Sequence, residues 1–195
     1  MRKYLLLIAI IALAFAACTK EAATETGGET NPGDTTSTGN KADSVVTFND
    51  IKFALNPGND TYGRVFSSFK GKVYPDNDIP DTVYKYIDVA FNNFGVYSMF
   101  FTSPNDANFD LSIPGTSTTL VRNLVPSDTF DINSFDTIRH ASAIKKLTIV
   151  TDDEVFGASD MPLVVFFQNG FGKKGIIKVK ARTTEYIITD VKVVY

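Results

Sequence analysis

LVVFFQNGFGKKGIIKVKARTTEYIITDVKVVY, residues 163–195, decides the fold of this chain. It holds three apolar runs, Leu163–Gln168, Gly175–Lys180 and Glu185–Val194, separated by NGFGKK and ARTT. In the second run Ile177 and Val179 alternate with Lys178 and Lys180. In the third, Ile187, Thr189, Val191 and Val193 face opposite to Ile188, Asp190, Lys192 and Val194. Period two is the signature of a strand, and short polar links make the three runs an antiparallel meander. Lysines on one face and branched residues on the other predict a sheet with one wet side. Such a sheet cannot shield its apolar face alone, and too few helical stretches exist to cover it. The remaining strands should therefore form a second sheet over it. The expected class is all-β, an antiparallel β-sandwich with Ig-like or jelly-roll-like connections.

Working back toward the N-terminus, the same signals recur. Val45–Phe48 and Ile51–Leu55 are two short β-prone runs, and Asn56-Pro57-Gly58-Asn59-Asp60 is a turn in which Pro fixes φ and Gly accepts positive φ. TYGRVFSSFKGKVY reads as one or two strands bending at Gly71. Ile87, Val89 and Phe91 alternate with smaller or polar residues, Asn92-Asn93-Phe94-Gly95 supplies a reversal, and Val96–Thr102 returns as the partner of a hairpin. Residues 106–135 are broken by Pro114, Gly115 and Pro126; short strands are expected at Leu111–Ile113, Thr119–Val121 and Phe130–Ile132. Ser134 can cap a short helix over 134–146, because Phe135, Ile138, Ala141 and Ile144 recur at helical spacing and Lys145 and Lys146 suit a last turn. The competing reading is an irregular segment running into a strand at Lys146–Val150.

Ahead of Ser44 the composition changes. Residues 19–43, TKEAATETGGETNPGDTTSTGNKAD, contain no large apolar side chain and cannot offset their ordering entropy by burial. Before them, Arg2 and Lys3 precede an 11-residue apolar run, Leu5–Phe15, which is too short for the ~20 residues of a spanning helix and reads as an export signal. It ends at Ala16-Ala17-Cys18, with Cys18 the single cysteine of the chain.

FAAC, Phe15–Cys18, resembles the lipobox of bacterial lipoproteins, with Phe15 where Leu is usual. The resemblance implies cleavage before Cys18 and acylation of its sulfur, and multiple acyl chains at ~0.8 kcal/mol per buried methylene give a firm anchor. Lys20 and Glu21, with Glu25 and Glu29 following, resemble the Lys-plus-acidic signal that sends lipoproteins to the cell surface in Bacteroidota. FAAC, an acidic tether, FGKKGIIKVKA and EYIITDVKVVY together resemble short, mostly uncharacterised outer-membrane and surface lipoproteins of that group. The implied organisation is a signal peptide at 1–17, a lipidated Cys18 with a tether to 43, and one β-sandwich domain over 44–195. The implied location is the outer membrane, lipid-anchored and facing the cell surface rather than the periplasm. Asp34-Thr35-Thr36, Asp43-Ser44-Val45, Asp81-Thr82-Val83 and Asp136-Thr137-Ile138 look like Bacteroidota O-glycosylation acceptors, and Thr35 and Ser44 are favoured because they sit on the tether.

The composition narrows the chemistry. From Cys18 onward the chain carries 17 Lys and Arg against 22 Asp and Glu, so a nucleic-acid partner is not expected. His140 is the single histidine, no GxSxG motif surrounds a serine, and zinc held by His and Cys is excluded by counting. No catalytic residue and no cofactor is assigned. Calcium needs oxygen ligands alone, and three groups offer them: Asp76, Asp78 and Asp81; Asn105, Asp106, Asn108 and Asp110; and Asp152, Asp153 and Glu154. The first has alternating oxygens but lacks the Gly and Glu of an EF-hand, so no metal is assigned there. Aromatic faces stack on sugar rings, and Tyr62, Tyr74, Tyr84, Tyr86 and Tyr97 are the available platforms; the alternative is that they pack the sheet edges. The expected function is a surface-anchored lipoprotein whose head is a non-catalytic binding or scaffold module, with the membrane and a glycan or surface protein as partners. Two alternatives stand beside it: a glycan-binding protein of a polysaccharide-uptake system, and a fimbria-like structural or adhesion subunit.

Overall fold

A computed structural model of the chain describes residues 44–111 and 113–195. The expected signal at 1–17 and tether at 18–43, with Cys18 and Thr35, lie outside the described residues. Among the described residues nine strands, β1 Val46–Ala54, β2 Val65–Ser67, β3 Lys72–Tyr74, β4 Val89–Asn93, β5 Met99–Thr102, β6 Thr119–Arg122, β7 Leu163–Asn169, β8 Lys174–Arg182 and β9 Tyr186–Val194, build two antiparallel sheets. One has the order β1-β9-β8-β7-β6 and the other β3-β2-β4-β5. The chain is an all-β sandwich, and residues 163–195 supply the centre of the larger sheet.

Between the sheets, Phe53, Phe66, Phe91, Phe101, Phe156, Val165, Phe167, Ile177, Val191 and Val193 form the main core. Phe53 sits at its middle, with ring centroids 5.1 Å from Phe101, 5.9 Å from Phe91 and 6.3 Å from Phe66. Each buried Phe contributes on the order of 1.5–3 kcal/mol. Apart from Phe156, which lies outside the strands, these rings come from the inward-facing positions of their strands, the pattern that period two demands.

The expectation of one wet side on the meander is corrected here. Chain from the 125–149 region lies across the outer face of β7, β8 and β9 and forms a second core, in which Phe135, Ile138, Ile144 and Ile149 pack on Val164, Phe166, Ile176 and Val194. Three outward lysines serve this layer rather than solvent, whereas Lys180 pairs with Asp50 and Asp190. Lys174 Nζ donates to the carbonyls of Lys145 and Leu147 at 2.9 and 2.6 Å, and Lys192 Nζ to that of Ile138 at 2.8 Å. Lys178 pairs with Asp136 at 2.7 Å. Burial pushes the Lys192 ammonium below its ordinary value, and the nearby Arg139 charge pushes it the same way. A lysine whose stem is apolar and whose head reaches a carbonyl can occupy a buried face, which alternation alone does not reveal.

The expected helix over 134–146 is likewise divided. A 3-10 helix spans Ile132–Thr137, with the Asp131 carboxylate accepting from the Asn133 amide, and a five-residue α-helix, α1, spans Ala141–Lys145. Residues 146–150 form no strand, and neither do 111, 113 or 130–132. The two runs expected at Val45–Phe48 and Ile51–Leu55 are one strand, β1, with a register shift between Phe48 and Ile51 where Asp50 has φ 56°. The irregularity is held by ions: Asp50 N donates to Asp190 Oδ1 at 2.8 Å, and Lys180 Nζ bridges the Asp50 and Asp190 carboxylates at 2.7 and 2.6 Å.

The outer face of the smaller sheet is also covered. Val83, Ile87, Phe109 and Ile113 pack on Val65, Tyr74 and Ala90. Arg64, 2% exposed, is enclosed beneath this layer with its guanidinium 5.0 Å from the Phe109 ring. It bonds Asp76 at 2.6 Å and Asp110 at 2.7 Å.

The strands give the sandwich two ends. At the entry end, Ser44 leads into β1, Val46 lies opposite Val193, and the 68–71 and 169–173 turns close β2–β3 and β7–β8. At the far end lie Gly63, the β4–β5 turn and the β8–β9 turn.

Candidate functional site

The side of the sandwich where β5 and β6 meet is where edge strands of both sheets come together, and edge strands must be satisfied or covered. Side chains do much of this. Asn123, just past β6, accepts from the Phe101 amide through Oδ1 at 2.7 Å and donates to the Phe101 carbonyl through Nδ2 at 2.9 Å, so one side chain stands in for a strand partner. Chain at 151–156 then spans the seam. The Asp152 amide donates to the Val121 carbonyl at 3.1 Å, and Phe156 and Met99 exchange both backbone bonds at 2.8 and 2.9 Å. The Asp152 carboxylate accepts from the amides of Asn123 and Leu124 at 2.9 and 3.2 Å. Pinned at both ends, this segment projects Asp153, Glu154 and Val155 outward; all three are exposed.

A groove of about 640 Å³ follows the seam, within the 300–1,000 Å³ of small-molecule sites. One wall is the 151–155 segment. The other is the loop after β5, where Ser103 Oγ accepts from the Thr119 amide at 2.8 Å, Asn105 Nδ2 donates to Thr118 Oγ1 at 2.9 Å, and Asp106 accepts from Thr102 Oγ1 and from the Asn108 amide. Phe94 and Phe100 lie at one end with ring centroids 5.5 Å apart, and Leu120 and Val155 add apolar surface. Phe94 is 71% exposed. The lining includes Asp106, Asp152, Asp153 and Glu154 and no lysine or arginine. Two of the acidic groups singled out in the sequence, 105–108 and 152–154, therefore face one another across this groove, whereas Asp110 is turned away to Arg64.

Asp76, Asp78 and Asp81 do not share a centre of that kind. Asp76 Oδ2 takes Arg64 Nε at 2.8 Å and the Gly58 amide at 3.1 Å. Burial alone would lower the Arg64 pKa, but bonds to Asp76 and Asp110 raise it. Asp81 engages the Tyr84 hydroxyl, whose pKa this hydrogen bond raises. Among the described residues no group of three or more His, Cys, Asp or Glu is placed to hold a metal ion.

The five tyrosines are dispersed. Tyr62 packs on Tyr186 at 4.5 Å with Lys52 over both rings. Tyr74 is buried, and Tyr84, half-buried, packs against the same cluster from the covering 3-10 helix Asp81–Tyr86. Tyr86 stacks on Phe69 at 4.3 Å, and Tyr97 stands exposed on the β4–β5 turn. None lines the groove, whose rings are Phe94 and Phe100. The signal that would have found Phe94 is its place in the reversal Asn92–Gly95, where an aromatic has no strand face to fill. Ser44 is not part of a free tether: it forms an isolated bridge with His140, the residue before α1.

A second polar cluster closes the entry end. The buried Asp88 carboxylate accepts from the Ser68 amide at 2.7 Å, Asn169 Nδ2 at 2.8 Å and Lys173 Nζ at 3.2 Å. Lys173 Nζ also donates to Ser68 Oγ at 3.0 Å, and the Asp88 carbonyl accepts from Thr119 Oγ1 at 2.6 Å. Tyr195 closes the cluster, its hydroxyl donating to the Ser68 carbonyl at 3.3 Å, and burial raises its pKa. The Ser68–Lys173 pair has the residue types of a nucleophile and its base, but Ser68 is buried under Tyr195 and serves to join β2 to the β7–β8 turn.

No described helix is long and apolar enough to cross a membrane. Comparison with protein-family models, with curated proteins and with solved structures finds no match for the chain.

Proposed function

We propose that the chain is a surface-anchored lipoprotein, held through Cys18, whose β-sandwich head binds a glycan without transforming it. The observation that carries this reading is the composition of the seam groove. The exposed Phe94 ring offers a flat apolar face, with half-buried Phe100 tilted 47° from it, and planar carboxylates and amides along the groove, Asn105, Asp106, Asn108, Asp152 and Asp153, offer acceptors and donors for hydroxyl groups. With four acids and no base in the lining, anionic sugars are repelled, so the ligand class is a neutral or amino-bearing glycan. Glycoside hydrolysis needs a pair of carboxylates, and two of the groove's acids are already engaged in holding its walls, Asp152 by the Asn123 and Leu124 amides and Asp106 by Thr102 Oγ1 and the Asn108 amide, which supports binding rather than turnover. The edge cover at β5 and β6 also speaks against a fimbria-like subunit that would add strands there.

Affinity electrophoresis tests the reading. In gels containing a β-glucan, a mannan or chitosan, the protein is expected to be retarded by at least one, and to run unretarded in alginate. Phe94→Ala is expected to weaken the retention about tenfold or more, a cost of ~1.4 kcal/mol, while Tyr62→Ala leaves it unchanged. Retention that survives Phe94→Ala, or retardation by alginate alone, would overturn the assignment.

A further inference from the structure

We infer that the entry end of the sandwich is a docking face that lies against an anionic lipid surface. This rests on the anchoring reading above, and it adds an orientation to it.

Three observations converge on one end of the domain. The first is connectivity: Val46 pairs with Val193 and Ser44 with His140, so the 25 residues between Cys18 and Ser44 join the fold here. The second is exposed aromatic surface. Phe171 is 75% exposed, Tyr195 57% and Phe69 54%, all beside the closing turns of this end. Phe69 stacks on Tyr86, and Tyr195 lies under the Lys173 ammonium at 4.6 Å. Exposed rings clustered together on a monomeric domain mark an interaction face, and aromatic residues among lysines are the composition that settles at headgroup level. The third is charge. Lys70 and Lys85 stand over the Phe69 and Tyr86 rings at 5.2 and 4.9 Å. Exposed Lys145 and Lys146 end α1, next to Lys174 on β8. The chain as a whole is acidic, so this gathering of cations is local.

The face is also rigid. Ser68 and Tyr195, next to or among the exposed rings, are held by the buried Asp88–Lys173 cluster, and the Phe171 amide donates to Asn169 Oδ1 at 3.1 Å. A preset arrangement loses little entropy on contact. Docked this way, the strands stand away from the bilayer, and the Phe94 end of the seam groove, on the β4–β5 turn, faces away from it.

The chain has no tryptophan, so Phe171→Trp and Tyr97→Trp each introduce a single fluorophore, one at the entry end and one at the far end. The full lipidated protein is reconstituted into vesicles of phosphatidylcholine alone or mixed with phosphatidylglycerol, each carrying brominated acyl chains. Quenching of the probe at 171 should exceed that at 97 severalfold in the anionic vesicles. The difference should vanish near 1 M salt, where the screening length falls to about 3 Å. Changing Lys70, Lys85, Lys145 and Lys146 to Gln should lower docking about fivefold per lysine while leaving the thermal transition in place. Equal quenching of the two probes, or quenching indifferent to phosphatidylglycerol, overturns the inference. So does a face that binds soluble dextran sulfate yet is not quenched by vesicles, which would make it a site for acidic polysaccharide. The anchor is read separately, by the mass of the Cys18 peptide. If it carries no lipid, the same probes on the released protein with added vesicles report docking alone.

Discussion

Asp88→Ala is expected to destabilise the domain by about 3–5 kcal/mol, the cost of removing one partner from a buried ion pair. That is a large share of the ~5–15 kcal/mol that holds a domain together. The carboxylate is fully buried and accepts from the Ser68 amide, Asn169 Nδ2 and Lys173 Nζ, so its loss strands two buried donors and leaves the ammonium with Ser68 Oγ alone. It also joins the two sheets, because Ser68 follows β2 while Asn169 and Lys173 flank the β7–β8 turn. Urea unfolding of the wild type and the variant reads the difference directly. A double-mutant cycle with Lys173→Met should show a coupling of at least ~1 kcal/mol; additivity of the two substitutions would show that the pair is not acting as a unit.

Gly63→Ala is expected to cost ~3 kcal/mol or more, at the upper end of what overpacking does. A Cβ at Gly63 would fall 1.7 Å from the Tyr74 carbonyl oxygen and 2.0 Å from its carbon, and these are backbone atoms that cannot swing aside. The same glycine accepts from the Ala54 amide at 2.8 Å, so a shift here disturbs β1 and β3 together. Gly157→Ala is the matched comparison, since the nearest atoms to its added carbon lie at 3.5 Å and the change should be close to neutral. Equal melting temperatures for the two variants would contradict the close approach at Gly63.

The sandwich was legible in residues 163–195 because period two survives wherever one face of a strand is uniformly apolar. Ile177 and Val179 announce the inner core in this way, and the observed β7, β8 and β9 agree with the expected runs to within two residues at each end. The outer layers were not legible. Lys174, Lys178 and Lys192 look like solvent residues in a pattern, yet each ties its ammonium to the chain that covers them. Nothing local to β8 or β9 encodes that chain, which arrives from the 125–149 region. Arg64 teaches the same lesson from the other sheet. The acidic loop Pro75–Asp81 suggested calcium, but its Asp76 answers a buried guanidinium twelve residues earlier in the chain. At the candidate site, the acids at 106 and 152–154 were visible as groups, whereas their convergence across the β5–β6 seam depends on a sheet order that no local pattern contains. Tyrosines are the ring platforms visible in the sequence, while Phe94 and Phe100 fall within a turn and a strand there.

The docking face and the groove fit one design. In the proposed orientation the head stands on its cationic, aromatic end and presents the Phe94 end of the acidic groove to solvent. The seam is also where the domain relies on side chains rather than a continuous ladder to join its sheets, with Asn123 and Asp152 spanning β5, β6 and the 151–156 segment. A ligand seated there should tighten the seam.

Amide hydrogen exchange of the full protein, with and without the oligosaccharide of whichever glycan retards it, tests the binding assignment most directly. The amides of Phe101, Asn123 and Leu124, held by the Asn123 and Asp152 side chains, and those of residues 152–155 should exchange more slowly when the ligand is bound. Those of Phe171 and Lys173 at the entry end should be unchanged. Slowed exchange confined to the entry end, or no change along the seam at saturating ligand, would contradict the assignment of the groove as the glycan site.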